Sequence, residues 1–155
     1  IAFKSYFNVK IEGKENLIDG PCIIAANHQS ILDSFFIYNF LEKNISENTY
    51  FLAKNKLIKN WISKFIAKSS NVVEFDLYKD GNMCEFKSTF AIVAKEMDIP
   101  IIPTAIKGSF EVLPPGKKMP KNKSVTIRFL KPIYPKDKSV SDLVNATANN
   151  IKDNI

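Results

Sequence analysis

Arginine, histidine and cysteine are nearly missing from this chain. It has one arginine, Arg128, one histidine, His28, and two cysteines, Cys22 and Cys84. The cysteines stand in unrelated segments without metal-ligand spacing, which excludes a cysteine metal site and a disulfide framework. They read as free thiols of a reducing compartment. No apolar run approaches the roughly 18 residues of a membrane-spanning helix, and no secretory signal is visible. Internal repeats and low-complexity tracts are also absent, which excludes solenoid and fibrous classes. What remains is ordinary for one globular domain spanning residues 1–155, with 45% hydrophobic and 25% charged residues. Such a chain buries roughly two-thirds of its unfolded surface.

Charge is plentiful and unevenly placed. The net charge is +6, and the stretch Lys107–Lys138 carries nine basic residues against Glu111 and Asp137. That stretch suits an anionic membrane, a phosphorylated small molecule or an acidic carrier protein as well as a plainly solvated loop. Its lysines lie among prolines without interleaved aromatics, which argues against nucleic acid.

The pattern alternates short apolar strands with amphipathic helices. Phe7–Glu12 reads as a strand, followed by turns at Gly13 and Asp19-Gly20 and a buried strand over Cys22–Ala26. Helices are expected over Ser30–Leu41, Lys54–Lys68, Ser88–Met97 and Val140–Ile155. Further strands are expected over Val72–Phe75, from Ile99 towards Ile106, and over Ser124–Leu130. Pro100 and Pro103 suggest an edge or a terminus for their strand. This alternation indicates an α/β fold with a mixed, partly parallel sheet flanked by helices.

The single histidine falls where the buried strand ends, in Asn27-His28-Gln29-Ser30-Ile31-Leu32-Asp33. A carboxylate five residues on can orient the imidazole, fix its tautomer and stabilise the imidazolium, which is what a general base for a hydroxyl nucleophile needs. The same letters admit a structural reading, because Ser30-x-x-Asp33 is a helix capping box.

That string resembles the first conserved block of the glycerolipid (lysophosphatidic acid) acyltransferase family. The resemblance extends to Val9–Leu17 as a lead-in strand and turn, to Phe51-Leu52-Ala53-Lys54-Asn55-Lys56-Leu57, and to Ile99–Gly108 as a fourth block. Val112–Lys117 follows that block as in many bacterial members, so the likeness covers about Val9 to Pro135. The run from Glu85 to Lys121 further resembles acyltransferase domains fused to acyl-CoA or acyl-carrier synthetases.

The resemblance implies roles. His28 would deprotonate a glycerol hydroxyl, Asp33 would orient it, and the alkoxide would attack an acyl-CoA or acyl carrier protein thioester without a covalent acyl-enzyme. Asn27, Ser30, Lys54, Lys87, Lys107 and Gly108 would contribute to substrate binding, Lys54 towards the acceptor's phosphate. Ile101, Ile102 and Ala105 would pack along an acyl groove. Backbone amides near the helix start would suit the oxyanion. No cofactor beyond the acyl donor is implied. The acceptor would be 1-acylglycerol 3-phosphate or a related lysophospholipid such as a lysophosphatidylethanolamine, met by a cytoplasmic protein peripheral to the inner face of the membrane. The helix bearing Trp61 and Phe65 among lysines is suited to a lipid surface or to a core.

One departure matters. The family's third block, FPEGTRS, and the arginine of its second are missing, and near Leu77-Tyr78 the sequence passes from the approach to the second block to the stretch after the third. A crossover between parallel strands needs about a dozen residues or more, and none fits there. Either an active-site segment belongs between these residues in the natural protein, or the chain is a catalytically dead lipid- or carrier-binding module of the same fold.

Overall fold

The computed structural model describes residues 6–30, 32–47, 50–53, 71–73, 88–114, 116–117 and 119–155. In chain order they form β1 (Asn8–Glu12), a 3-10 turn (Lys14–Asn16), β2 (Ile23–Ala26), α1 (Asp33–Phe40) and α2 (Lys43–Glu47). Then come β3 (Tyr50–Ala53), β4 (Asn71–Val73), α3 (Thr89–Met97), β5 (Ile101–Lys107), α4 (Ser109–Val112), β6 (Ser124–Phe129) and α5 (Val140–Lys152).

Four strands build the main sheet in the order β1-β6-β5-β2, and β3 and β4 form a separate parallel pair. β1 runs parallel to β6, β2 runs parallel to β5, and β5 and β6 are antiparallel. The sheet is therefore mixed and partly parallel, as the pattern and the resemblance suggest.

Burial follows from the side-chain period of two. β6 alternates exposed or half-buried Ser124, Thr126 and Arg128 with buried Val125, Ile127 and Phe129. β5 is buried along its whole length except Lys107, as a central strand covered on both faces must be. One face packs Ile102, Ile106, Val125, Ile127 and Phe129 against Phe36 and Ile37 of α1. The other packs Ala25 and Ile101 against Phe90, Ala91 and Ala94 of α3 and Leu143 of α5. Each fully buried large apolar side chain contributes about 1.5–3 kcal/mol.

Pro103 lies inside the central strand, not at an edge as its type suggests. Its carbonyl still accepts from the Leu130 amide at 2.8 Å, just past the end of β6, so its missing N–H forfeits little of the ladder. α2, β3 and α4 carry no clear sequence signal. The first helix starts at Asp33 and not at Ser30, and the last ends at Lys152. The expected helix over Lys54–Lys68 lies outside the described residues, as do positions 74 and 75 of the strand expected over Val72–Phe75.

Candidate active site

Strand β2 ends beside β5, with Ala26 opposite Thr104. Past that point the ladder continues through a side chain. The Asn27 amide nitrogen donates to the Ile106 carbonyl at 2.8 Å, and the Ile106 N–H donates to Asn27 Oδ1 at 2.7 Å. Asn27 and Ile106 are both fully buried. The clamp fixes where the chain leaves the sheet, and His28 is the next residue.

His28 Nδ1 lies 2.8 Å from Asp33 Oδ2. A carboxylate can only accept, so Nδ1 carries the hydrogen, and in the neutral ring Nε2 then holds the lone pair. Nε2 has no partner among the described residues, and the His28 side chain is 26% exposed against 3% for that of Asp33. The imidazole thus has one nitrogen held from inside and the other available from outside.

Asp33 is held as tightly as it holds. Its Oδ2 also accepts from the amides of Gln29 at 2.7 Å and Ser30 at 2.8 Å. Its place at the first residue of α1 puts the negative charge at the positive end of the helix dipole. Its other oxygen, Oδ1, is buried and has no hydrogen-bond partner among the described residues.

Half of the expected capping box is present: the Asp33 carboxylate reaches back to the Ser30 amide. The other half is replaced, because Ser30 Oγ donates to the Leu113 carbonyl at 2.9 Å and accepts from the Leu32 amide at 3.3 Å. Ser30 is fully buried. It ties the His28 turn to the end of α4 instead of capping α1.

The structure places the residues expected to bind substrate in different surroundings. Both amide atoms of Asn27 are occupied by the backbone of Ile106, and the buried Ser30 hydroxyl is bonded to the Leu113 carbonyl. Gly108 has φ +87, and a Cβ there would collide with the Ser124 carbonyl oxygen, so it serves the close approach of β5 to β6. Lys107 lines a cleft of about 400 Å³ with Arg128, Glu12, Thr126, Asp153 and Asn154 and without any residue of the His28 turn. Arg128 is engaged there, with Nε donating to Glu12 at 2.6 Å and Nη1 to Asn154 at 3.1 Å. Hydrogen bonds from Lys10 and from Arg128 hold the Glu12 carboxyl below its usual range. Lys54 and Lys87 lie outside the described residues.

The oxyanion expectation also changes. The amides of Gln29, Ser30, Leu32 and Asp33 are all taken within the turn, the last by the Ser30 carbonyl at 3.1 Å. These four helix-start donors are not free for a developing oxyanion. The sequence pattern missed Leu113 and Ile106, whose backbone atoms anchor the turn; main-chain partners 79 and 83 residues away leave no trace in a local motif. Burial pushes the Cys22 thiol up from its ordinary value, in keeping with an inert free cysteine.

Comparison with known proteins agrees with the geometry. A family model described as Acyltransferase matches residues 8–81, a span that includes the His28 turn. The chain is 25% identical over 168 aligned positions to the chloroplastic 1-acyl-sn-glycerol-3-phosphate acyltransferase BAT2 of Brassica napus. That match covers 86% of this chain and 47% of the plant protein, so the chain spans about half the length of this curated relative. Because 168 positions exceed the residues this chain supplies, the relative has positions inside the matched stretch that face gaps here. The crystal structure of the 1-acyl-sn-glycerophosphate (LPA) acyltransferase PlsC from Thermotoga maritima superposes with a TM-score of 0.76 at 25% identity. It covers 96% of this chain and 70% of that one. The strand-turn-helix site and the mixed sheet thus accompany a chain that is similar, by family model over residues 8–81 and by fold over most of its length, to the glycerolipid acyltransferases.

Proposed function

We propose that this chain is an acyltransferase domain that moves a fatty acyl group from an acyl thioester to the free glycerol hydroxyl of a lysophospholipid, 1-acylglycerol 3-phosphate in the first instance. The observation that carries the reading is the 2.8 Å contact between His28 Nδ1 and Asp33 Oδ2 with Nε2 left available. Both similar proteins named above are acyltransferases of this class, which supports the choice of acceptor.

In the proposed reaction His28 Nε2 takes the proton of the acceptor hydroxyl as its oxygen attacks the thioester carbonyl. An ester C–O bond forms, the C–S bond breaks, and the leaving thiolate recovers the proton from the imidazolium. Asp33 keeps the ring in the tautomer that leaves Nε2 basic and stabilises the charge that develops on it. A thioester is already activated, so this step calls for no cofactor beyond the donor, acyl-CoA or acyl carrier protein. The acceptor is a membrane lipid, which puts the domain at the inner face of a membrane as a peripheral protein. Lys54 is the candidate contact for the acceptor's phosphate and Lys87 a further one.

The test is thiol release from acyl-CoA in the presence of 1-acylglycerol 3-phosphate, for the wild-type protein and His28→Ala. A general base contributes about 10²–10⁴-fold, and a loss of at least that size is expected on substitution. Equal rates for the two proteins would refute the reading. The missing FPEGTRS sequence favours a second reading, a lipid- or carrier-binding module, which requires lysophospholipid binding without any transfer by the wild-type protein.

A further inference from the structure

We propose that the loop joining α4 to β6, residues 113–123, is a docking tip for an anionic phospholipid bilayer, with Met119 entering the headgroup layer and Lys117, Lys121 and Lys123 facing lipid phosphates. The proposal draws its purpose from the acyl-transfer reading, while the binding itself does not depend on it.

The first ground is charge. Between Val112 and Val125 the sequence has no acidic residue and four basic ones: Lys117, Lys118, Lys121 and Lys123. The second is exposed apolar surface set among those charges. Met119 is 81% exposed, and Tyr6, 50% exposed, has its hydroxyl 3.5 Å from the Pro120 carbonyl. Pro114, Lys117, Met119 and Lys121 line a shallow hollow of about 280 Å³.

The third ground is that the loop is rooted. Its base is closed by the Lys121 amide donating to the Val112 carbonyl at 2.8 Å, and its first turn by the Lys117 amide on the Pro114 carbonyl at 3.1 Å. Val112 and Leu113 are buried in the main core. The Leu113 carbonyl is also the acceptor for Ser30 Oγ, so the residue that roots the loop also anchors the His28 turn. A bilayer bound at this tip would bring the turn close to the plane in which a lysophospholipid acceptor lies.

A bilayer fits better than an acidic protein. Lysines are compact charges on flexible stems, suited to a diffuse surface potential more than to a fixed set of acceptors. An apolar side chain at a projecting tip gains by entering a fluid interface, and basic plus apolar signals together give stable peripheral attachment.

The experiment is vesicle flotation of the wild-type protein, K117Q/K121Q/K123Q and Met119→Ser, with phosphatidylcholine vesicles made with or without phosphatidylglycerol. Each lysine near an anionic surface is worth roughly five-fold in binding, so the triple variant should bind roughly 100-fold more weakly. Met119→Ser should bind several-fold more weakly, and added salt should release the wild type. Circular dichroism checks that the variants keep their fold.

Anionic-vesicle binding equal in the wild type and the triple variant, or no wild-type binding at all, overturns the proposal. A raised KM for acyl carrier protein in the triple variant with unchanged flotation also overturns it, by making the loop a carrier-protein site. Transfer to a water-soluble short-chain lysophosphatidate separates the two readings. The triple variant should retain it, and His28→Ala should lose it while still floating with anionic vesicles. If His28→Ala stays active, the acyl-transfer reading fails and the docking tip stands.

Discussion

Replacing Asn27 by alanine removes two hydrogen bonds from a fully buried site. Both belong to Ile106, whose N–H and C=O lie between the Asn27 amide atoms at 2.7 and 2.8 Å. Each buried group left unpaired costs about 1–3 kcal/mol, so the variant should lose about 2–6 kcal/mol. A domain of this size has about 5–15 kcal/mol in total, so the loss is a large share of it. With a urea slope of about 2 kcal/mol/M, the denaturation midpoint falls by about 1–3 M at unchanged slope. Asn27→Asp is the informative companion. It keeps an acceptor for the Ile106 N–H but turns an oxygen towards the Ile106 carbonyl and buries a charge, so it should be no more stable than the alanine variant. In the transfer assay without urea, at a temperature where the variant is folded, kcat should fall while KM stays near wild type if the Asn27 amide, bonded to Ile106, acts by placing His28. A midpoint shift below about 0.3 M, about 0.6 kcal/mol at that slope, would refute the clamp. A raised KM at unchanged kcat would refute the positioning role and make Asn27 a binding residue.

Three further outcomes are expected. Asp33→Asn, with its amide oxygen in the place of Oδ2, keeps an acceptor for the Gln29 and Ser30 amides and for His28 but loses the charge that stabilises the imidazolium, so kcat should drop by about 10³–10⁴-fold with a much smaller change in the urea midpoint. Gly108→Ala combines a left-handed backbone with a collision against the Ser124 carbonyl, so it should destabilise by more than about 1 kcal/mol, read by thermal melting; an unchanged melting temperature would contradict the close approach of β5 and β6. At the start of α5, the Ser139 side chain and amide bond Asp142 and hold its carboxyl below the usual range. The charged form therefore stabilises the fold above the unfolded-state value, and that contribution is lost as pH falls through the lower folded value. The stability gap between wild type and Ser139→Ala should accordingly be full at pH 7 and shrink below about pH 4, measured by urea midpoints at each pH.

The sequence by itself determined the parts that rest on short-range chemistry. The apolar run ending at Ala26, the lone histidine after it and the acid five residues on were enough to point to a base and its orienting carboxylate, because a helix start and a strand end are local events. The alternation in Ser124–Phe129 likewise announced a strand, whereas Pro100 and Pro103 pointed β5 to an edge or a terminus and only the pairing on both its sides puts it inside the sheet. Only the tertiary structure decided what surrounds that pair. The antiparallel pairing of β5 with β6, the clamp of Asn27 on Ile106 and the tether of Ser30 to Leu113 join segments about 80 residues apart in the chain. Serine and asparagine side chains bond equally well to substrate or to backbone, so their spacing alone could not tell a binding residue from a positioning one. Packing buries both against backbone partners and places Lys107 in a separate cleft with Arg128.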